Sequence, residues 1–121
     1  KGWTLPAEFY NNVLYPLQDK GAIDSKENIL ANKLTAIVDR TLPKDIVDIF
    51  FLLNDGLNLK DALLNAESKA AGISPLLIAK IFSEFDYSLI DSEIKWVTPV
   101  ESIAIKKFLN IISEKIVKGS L

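Results

Sequence analysis

Five helix-starting signals, three of them followed by a clear stop, divide the chain from Asp24 onward and point to a mainly α-helical fold. Asp24 and Glu27 stand three residues apart, the spacing of an aspartate version of the capping box. A helix is expected from there to about Arg40. Pro43 suits the first turn of a second helix, which Asn54-Asp55-Gly56 ends after Leu53. Asn58 can cap a third helix, to about Ala71, with Gly72 as its stop. Ser74-Pro75 opens a fourth, to about Phe85. Thr98-Pro99-Val100-Glu101 combines a capping box with proline at the first helical position, and the fifth helix runs to about Lys118, before Gly119.

Residues 86–97 read as a connection anchored by Tyr87, Leu89, Ile90, Ile94 and Trp96. The expectation is a mainly α, five-helix, bundle-like domain over residues 25–121. Residues 1–24 look different. Pro6 and Pro16 disfavour helix just before them, and Asp19-Lys20-Gly21 reads as a turn. This stretch is expected to be extended or irregular, a remnant of a preceding domain. No internal repeat, low-complexity tract or Gly/Ser-rich linker interrupts the rest.

Composition narrows the chemistry. The chain has neither cysteine nor histidine. Disulfides, thiolate nucleophiles and cysteine-ligated zinc are excluded, and the commonest general base is missing. Catalysis would have to use carboxylates, amines, hydroxyls or another protein's residues. The net charge of −2 argues against strong general attraction to nucleic acid, leaving a local basic patch open. No apolar run approaches the about 18 residues that span a bilayer. The start, Lys1-Gly2-Trp3, has no signal-peptide core, and the chain contains no methionine. No membrane association is expected.

One charge pattern stands out. Projected at about 100° per residue, Lys33 and Arg40 fall within the sector holding Ile29, Leu30, Ala36 and Ile37. Asn28, Asn32, Thr35 and Asp39 occupy the polar side. On the second helix, Lys44, Asp45 and Asp48 form one narrow strip, while every other position from Ile46 to Leu53 is apolar. The Thr41-Leu42 connection is short, so the two helices are neighbours, and Lys33 and Arg40 can face Asp45 and Asp48. A buried charge needs such a partner. Other readings of the same residues stay open at this stage. Asp45 also suits the positive end of its helix. The acidic strip can be a solvated face, the two cations can snorkel, or the charges can form a purely structural network.

These residues also carry a resemblance. The run Glu27-Asn28-Ile29-Leu30-Ala31-Asn32-Lys33-Leu34-Thr35-Ala36-Ile37-Val38-Asp39-Arg40, followed by Pro43-Lys44-Asp45-Ile46-Val47-Asp48-Ile49-Phe50-Phe51-Leu52-Leu53, resembles the nucleotidyltransferase toxins of the AbiEii/AbiGii type. Their pattern reads Lys-Leu-x-Ala, an arginine four residues after that alanine, then Arg-Asp-x-x-Asp and a Leu-Leu ending. Gly56-Leu57-Asn58-Leu59, Ile73-Ser74-Pro75 and Phe85-Asp86 extend the similarity, which covers about residue 13 to the C-terminus. Lys44 departs from it, standing where the family usually has arginine; it keeps the charge and loses the bidentate fork.

The resemblance implies a polymerase-β-like enzyme that moves a nucleotidyl group from a nucleoside triphosphate to an acceptor such as transfer RNA. It also implies a cytoplasmic toxin–antitoxin or phage-defence setting and an antitoxin partner. The family's Mg2+-binding Asp-x-Asp follows a Gly-Ser motif, and this chain has no such pair; Gly119-Ser120 lies at the very end. The metal ligands are therefore expected upstream of this chain, and the piece alone is expected to be inactive. By the same resemblance, Lys33 reaches the triphosphate, and Asp48, or else Asp45, orients Lys33 or sits near the attacking hydroxyl. Arg40 and Lys44 hold the carboxylates or phosphate. The competing reading is a helical protein- or RNA-interaction module without catalysis. In that reading Ile103, Ala104, Phe108, Ile111, Ile112 and Ile116 of the fifth helix pack internally or on a partner, and Lys106, Lys107, Lys115 and Lys118 touch a phosphate backbone.

Overall fold

The computed structural model describes residues 25–120, and all its regular structure is helical. The expectation for residues 1–24 lies outside the described residues. In chain order the helices are α1 (Lys26–Asp39), α2 (Pro43–Asn54), α3 (Leu59–Lys69), α4 (Pro75–Glu84), α5 (Ser88–Glu93) and α6 (Pro99–Lys118). Five match the expected helices, and the sixth, α5, is a short helix inside the 86–97 connection.

The ends form as capping chemistry requires. Asn58 and Ser74 each accept a hydrogen bond from the backbone N–H three residues on. Thr98 and Glu101 make the full reciprocal box, with distances of 3.1 and 2.8 Å. At α1 the cap is Ser25, accepting from the Asn28 N–H, rather than Asp24. Gly72 closes the α3–α4 turn at φ +88°, a left-handed conformation that suits a residue without Cβ.

Helix α2 is the centre of the molecule. It packs against α1, α5 and α6, while α1 also meets α3 and α4, and α4 lies along α6. A helix apolar nearly all round must be enclosed, and every residue of α2 from Pro43 to Leu53 is buried except Lys44. Phe50 crosses the half-buried Phe108 of α6 edge-on at 5.3 Å. Phe51 lies 5.8 Å from Trp96 of the α5–α6 connection. Of the expected anchors of that connection, Tyr87, Ile90 and Ile94 are buried, and Leu89 faces outward. The Tyr87 hydroxyl donates to the Phe82 carbonyl at 2.6 Å and ties the connection to the end of α4.

A buried lysine–dicarboxylate cluster between two helices

The enclosure of α2 creates the site. Asp45 occupies the first turn, where the free N–H groups and the dipole favour a carboxylate. Asp48 follows three residues later on the same side, one turn deeper. The tight connection folds α1 back on α2, so Lys33, in the middle of α1, reaches both. Its Nζ lies 3.0 Å from Asp45 Oδ1 and 2.9 Å from Asp48 Oδ2.

The three groups differ in depth. The Lys33 side chain is 20% exposed, Asp45 10% and Asp48 1%. The solvated-strip reading therefore fails for the carboxylates; of the three charges on α2, only Lys44 points outward. Lys33 donates a directed hydrogen bond to Asp45. Its approach to Asp48 is an ion contact without hydrogen-bond geometry, and neither Asp48 oxygen has a hydrogen-bond donor among the described residues. The ammonium 2.9 Å away compensates Asp48 Oδ2, whereas Oδ1 has no donor among the described residues, and a buried acceptor left without one costs about 1–3 kcal/mol.

The electrostatics follow the geometry. Burial pushes the Asp48 carboxyl above its usual range, opposed by the Lys33 ammonium, and more weakly by Lys44. Burial also acts to lower the Lys33 pKa, but the attraction of Asp48 and Asp45 outweighs it and the net shift is upward. Lys33 is thus charged at neutral pH, an ammonium held at partial depth against two carboxylates and still 20% exposed.

Arg40 and Lys44 do not join this cluster. The projection that put Arg40 beside Lys33 assumed that the helix continues. Arg40 is instead the extended C-cap of α1, at φ −152°, so its side chain leaves the helix face and is exposed. Neither Arg40 nor Lys44 makes an ion pair among the described residues. Two polar ties were not anticipated from sequence. Lys26 pairs with Asp55 at 2.7 Å, clamping the start of α1 to the end of α2, and Lys69 donates to Asn28 and Asn32, fastening α3 to α1. Their partners are far apart in sequence, so no local pattern announces them.

The described residues do not fit a Mg2+ site. No group of three or more metal-ligating side chains occurs among them. The two neighbouring carboxylates already share an ammonium, which would repel a divalent cation. None of the described helices is long and apolar enough to cross a membrane.

The fold and site together define a small helical domain that holds a charged lysine between two buried carboxylates. The family comparison makes the class specific. Residues 23–116 match the family model described as nucleotidyl transferase AbiEii toxin, type IV toxin–antitoxin system, and the chain belongs to that family. The family implies an antitoxin partner. No curated protein and no solved structure matches the chain.

Proposed function

We propose that this domain supplies the triphosphate-handling side of a nucleotidyl transfer reaction. The observation that carries the reading is the Lys33 ammonium, held charged between Asp45 and Asp48 and still open to solvent on one side. In such a reaction an acceptor hydroxyl attacks the α-phosphorus of a nucleoside triphosphate, the bond to the β-phosphate oxygen breaks, and pyrophosphate leaves. The protein's task is positioning and neutralising charge. Lys33 contacts the triphosphate as a point charge. Asp48, the deepest member, positions Lys33, and Asp45, the more exposed of the two carboxylates, completes the clamp. Arg40, at the end of α1, and Lys44, in the first turn of α2, are exposed on either side of the helix–helix connection and receive phosphate rather than carboxylate.

The acceptor in this reading is an RNA such as transfer RNA, and the setting is the cytoplasm, where phage defence operates. Mg2+, when bound, neutralises the triphosphate, and its ligands come from residues upstream of this chain. The 121-residue chain alone is accordingly inactive. The test restores the upstream Gly-Ser…Asp-x-Asp segment and follows transfer of label from an α-labelled triphosphate to RNA. Lys33→Ala is expected to lower transfer by about 100-fold or more, as for loss of a preorganised electrostatic contact, with helicity retained. Unchanged transfer removes Lys33 from the site.

A further inference from the structure

Helix α3 carries two charges at the wrong ends. Lys60 lies in its first turn and Glu67 in its last, whereas the macrodipole favours acid at the start and base at the end. Asp61 and Lys69, at the same two ends, have the favourable signs, so helix stability does not account for Lys60 and Glu67. Both are exposed, and neither makes a hydrogen bond or ion pair among the described residues. Between them on the same face, at helical i, i+4, i+7 spacing, sits Leu64, 58% exposed.

These three residues border a mainly apolar groove of about 290 Å³, whose other walls are Leu63, Pro75, Ile116 and Gly119. Leu76 and Val117, the chain neighbours of two of those walls, are 63% and 64% exposed. The groove's ends thus carry opposite charges and its middle is apolar.

That pattern is self-complementary. If a second α3 lies antiparallel across the first, the register that sets Lys60 opposite Glu67 of the second copy puts the two-fold axis beside Leu64, so the exposed Leu64 side chains of the two copies meet, while Leu63 stays buried within its own chain. The remaining Glu67 then meets the remaining Lys60, as two-fold symmetry demands. Each Lys60 arrives at the C-terminal end of the facing helix, and each Glu67 at the N-terminal end. The dipole mismatch inside one chain becomes a match between two. A parallel arrangement would oppose lysine to lysine. An apolar small molecule would make no use of charges at both ends.

We propose that this face of α3 is the seam of a symmetric homodimer, two α3 helices crossing antiparallel about Leu64. The inference is independent of the nucleotide-handling reading. The test is sedimentation velocity on the 121-residue chain over a wide concentration range, with circular dichroism to confirm helicity. A monomer–dimer equilibrium is expected. Leu64→Asp should shift it to monomer. Lys60→Glu should lower the association constant by at least about tenfold, since the symmetric dimer contains the contact twice. Lys60→Glu combined with Glu67→Lys reverses both charges, keeps them complementary, and should restore the dimer. A chain that stays monomeric throughout overturns the proposal. So does a dimer indifferent to Lys60→Glu, or a double reversal no better than the single one.

Discussion

Replacing Lys33 by methionine removes the ammonium while keeping most of the stem that fills the space between α1 and α2. Asp48, 1% exposed, then holds its charge with no cation in contact. Removing one member of a buried ion pair costs about 3–5 kcal/mol. The lower end applies here, because Lys33 is itself 20% exposed, so about 3 kcal/mol is expected at neutral pH. With a slope of about 2 kcal/mol per molar urea, the unfolding midpoint should fall by roughly 1.5 M. Trp96, lying against Phe51 in the core, provides a fluorescence signal for the transition.

The deficit should depend on pH in a definite direction. The folded-state pKa of Asp48 is already raised above 3.8 by burial, and Lys33 is what opposes that rise. Without Lys33 it climbs further. A carboxyl whose folded pKa exceeds its unfolded value penalises the fold as pH rises through that interval. The deficit should therefore be largest at neutral pH and shrink on acidification toward the unfolded carboxylate range. Lys33→Met combined with Asp48→Leu removes both charges and should regain at least the original stability, because well-packed apolar replacements of buried pairs are neutral or stabilising by about 1–4 kcal/mol. A Lys33→Met variant within about 0.5 kcal/mol of the parent, or a deficit of equal size at acid and neutral pH, would refute the reasoning.

Two further outcomes are expected. At alkaline pH the stability that Lys33 contributes should persist past 10.5 and disappear as pH rises through its raised folded-state value, so the gap between parent and Lys33→Met should close only there; urea midpoints across that interval measure it, and a constant gap contradicts it. Thr98→Ala deletes the hydroxyl that accepts from the Glu101 N–H at the head of α6 and should lower stability by about 1 kcal/mol in the same urea assay, with no change when the box contributes nothing.

The fold was readable where backbone chemistry is local. The caps and prolines at Pro43, Asn58, Ser74-Pro75 and Thr98-Pro99 mark helix starts because each satisfies or dispenses with an orphan N–H. Helix α5 was not readable. It is six residues long, too short for periodicity to show, and its only start signal is Asp86, whose carboxylate accepts from the Ser88 N–H one residue ahead of the usual cap position, Tyr87. On α6 the buried stripe runs through Ser102, Ile105, Leu109, Ser113 and Ile116, while Ile103 and Ile111 face outward. That helix has apolar residues on several sides, and two serines that would score as surface are buried. Ser102 donates to the Pro99 carbonyl and Ser113 to the Ala79 carbonyl of α4.

The candidate site was readable in part for a related reason. Helical spacing put Lys33 in an apolar sector and Asp45 with Asp48 on one strip, and the short connection brought the strips together. The relative depths of the carboxylates, 10% and 1% exposed, follow from how α2 is enclosed in the tertiary fold, an effect with no local signature. Arg40 misled the projection because a helix ends one residue before it.

The central claim is that the lysine–dicarboxylate cluster is kept for nucleotide chemistry at the expense of stability. The decisive measurement is nucleotidyl transfer, assayed with Mg2+ in the longer protein proposed above, for the variant carrying Lys33→Met with Asp48→Leu. The account predicts a variant at least as stable as the parent and without measurable transfer; a stable variant that transfers at the parent's rate would contradict it.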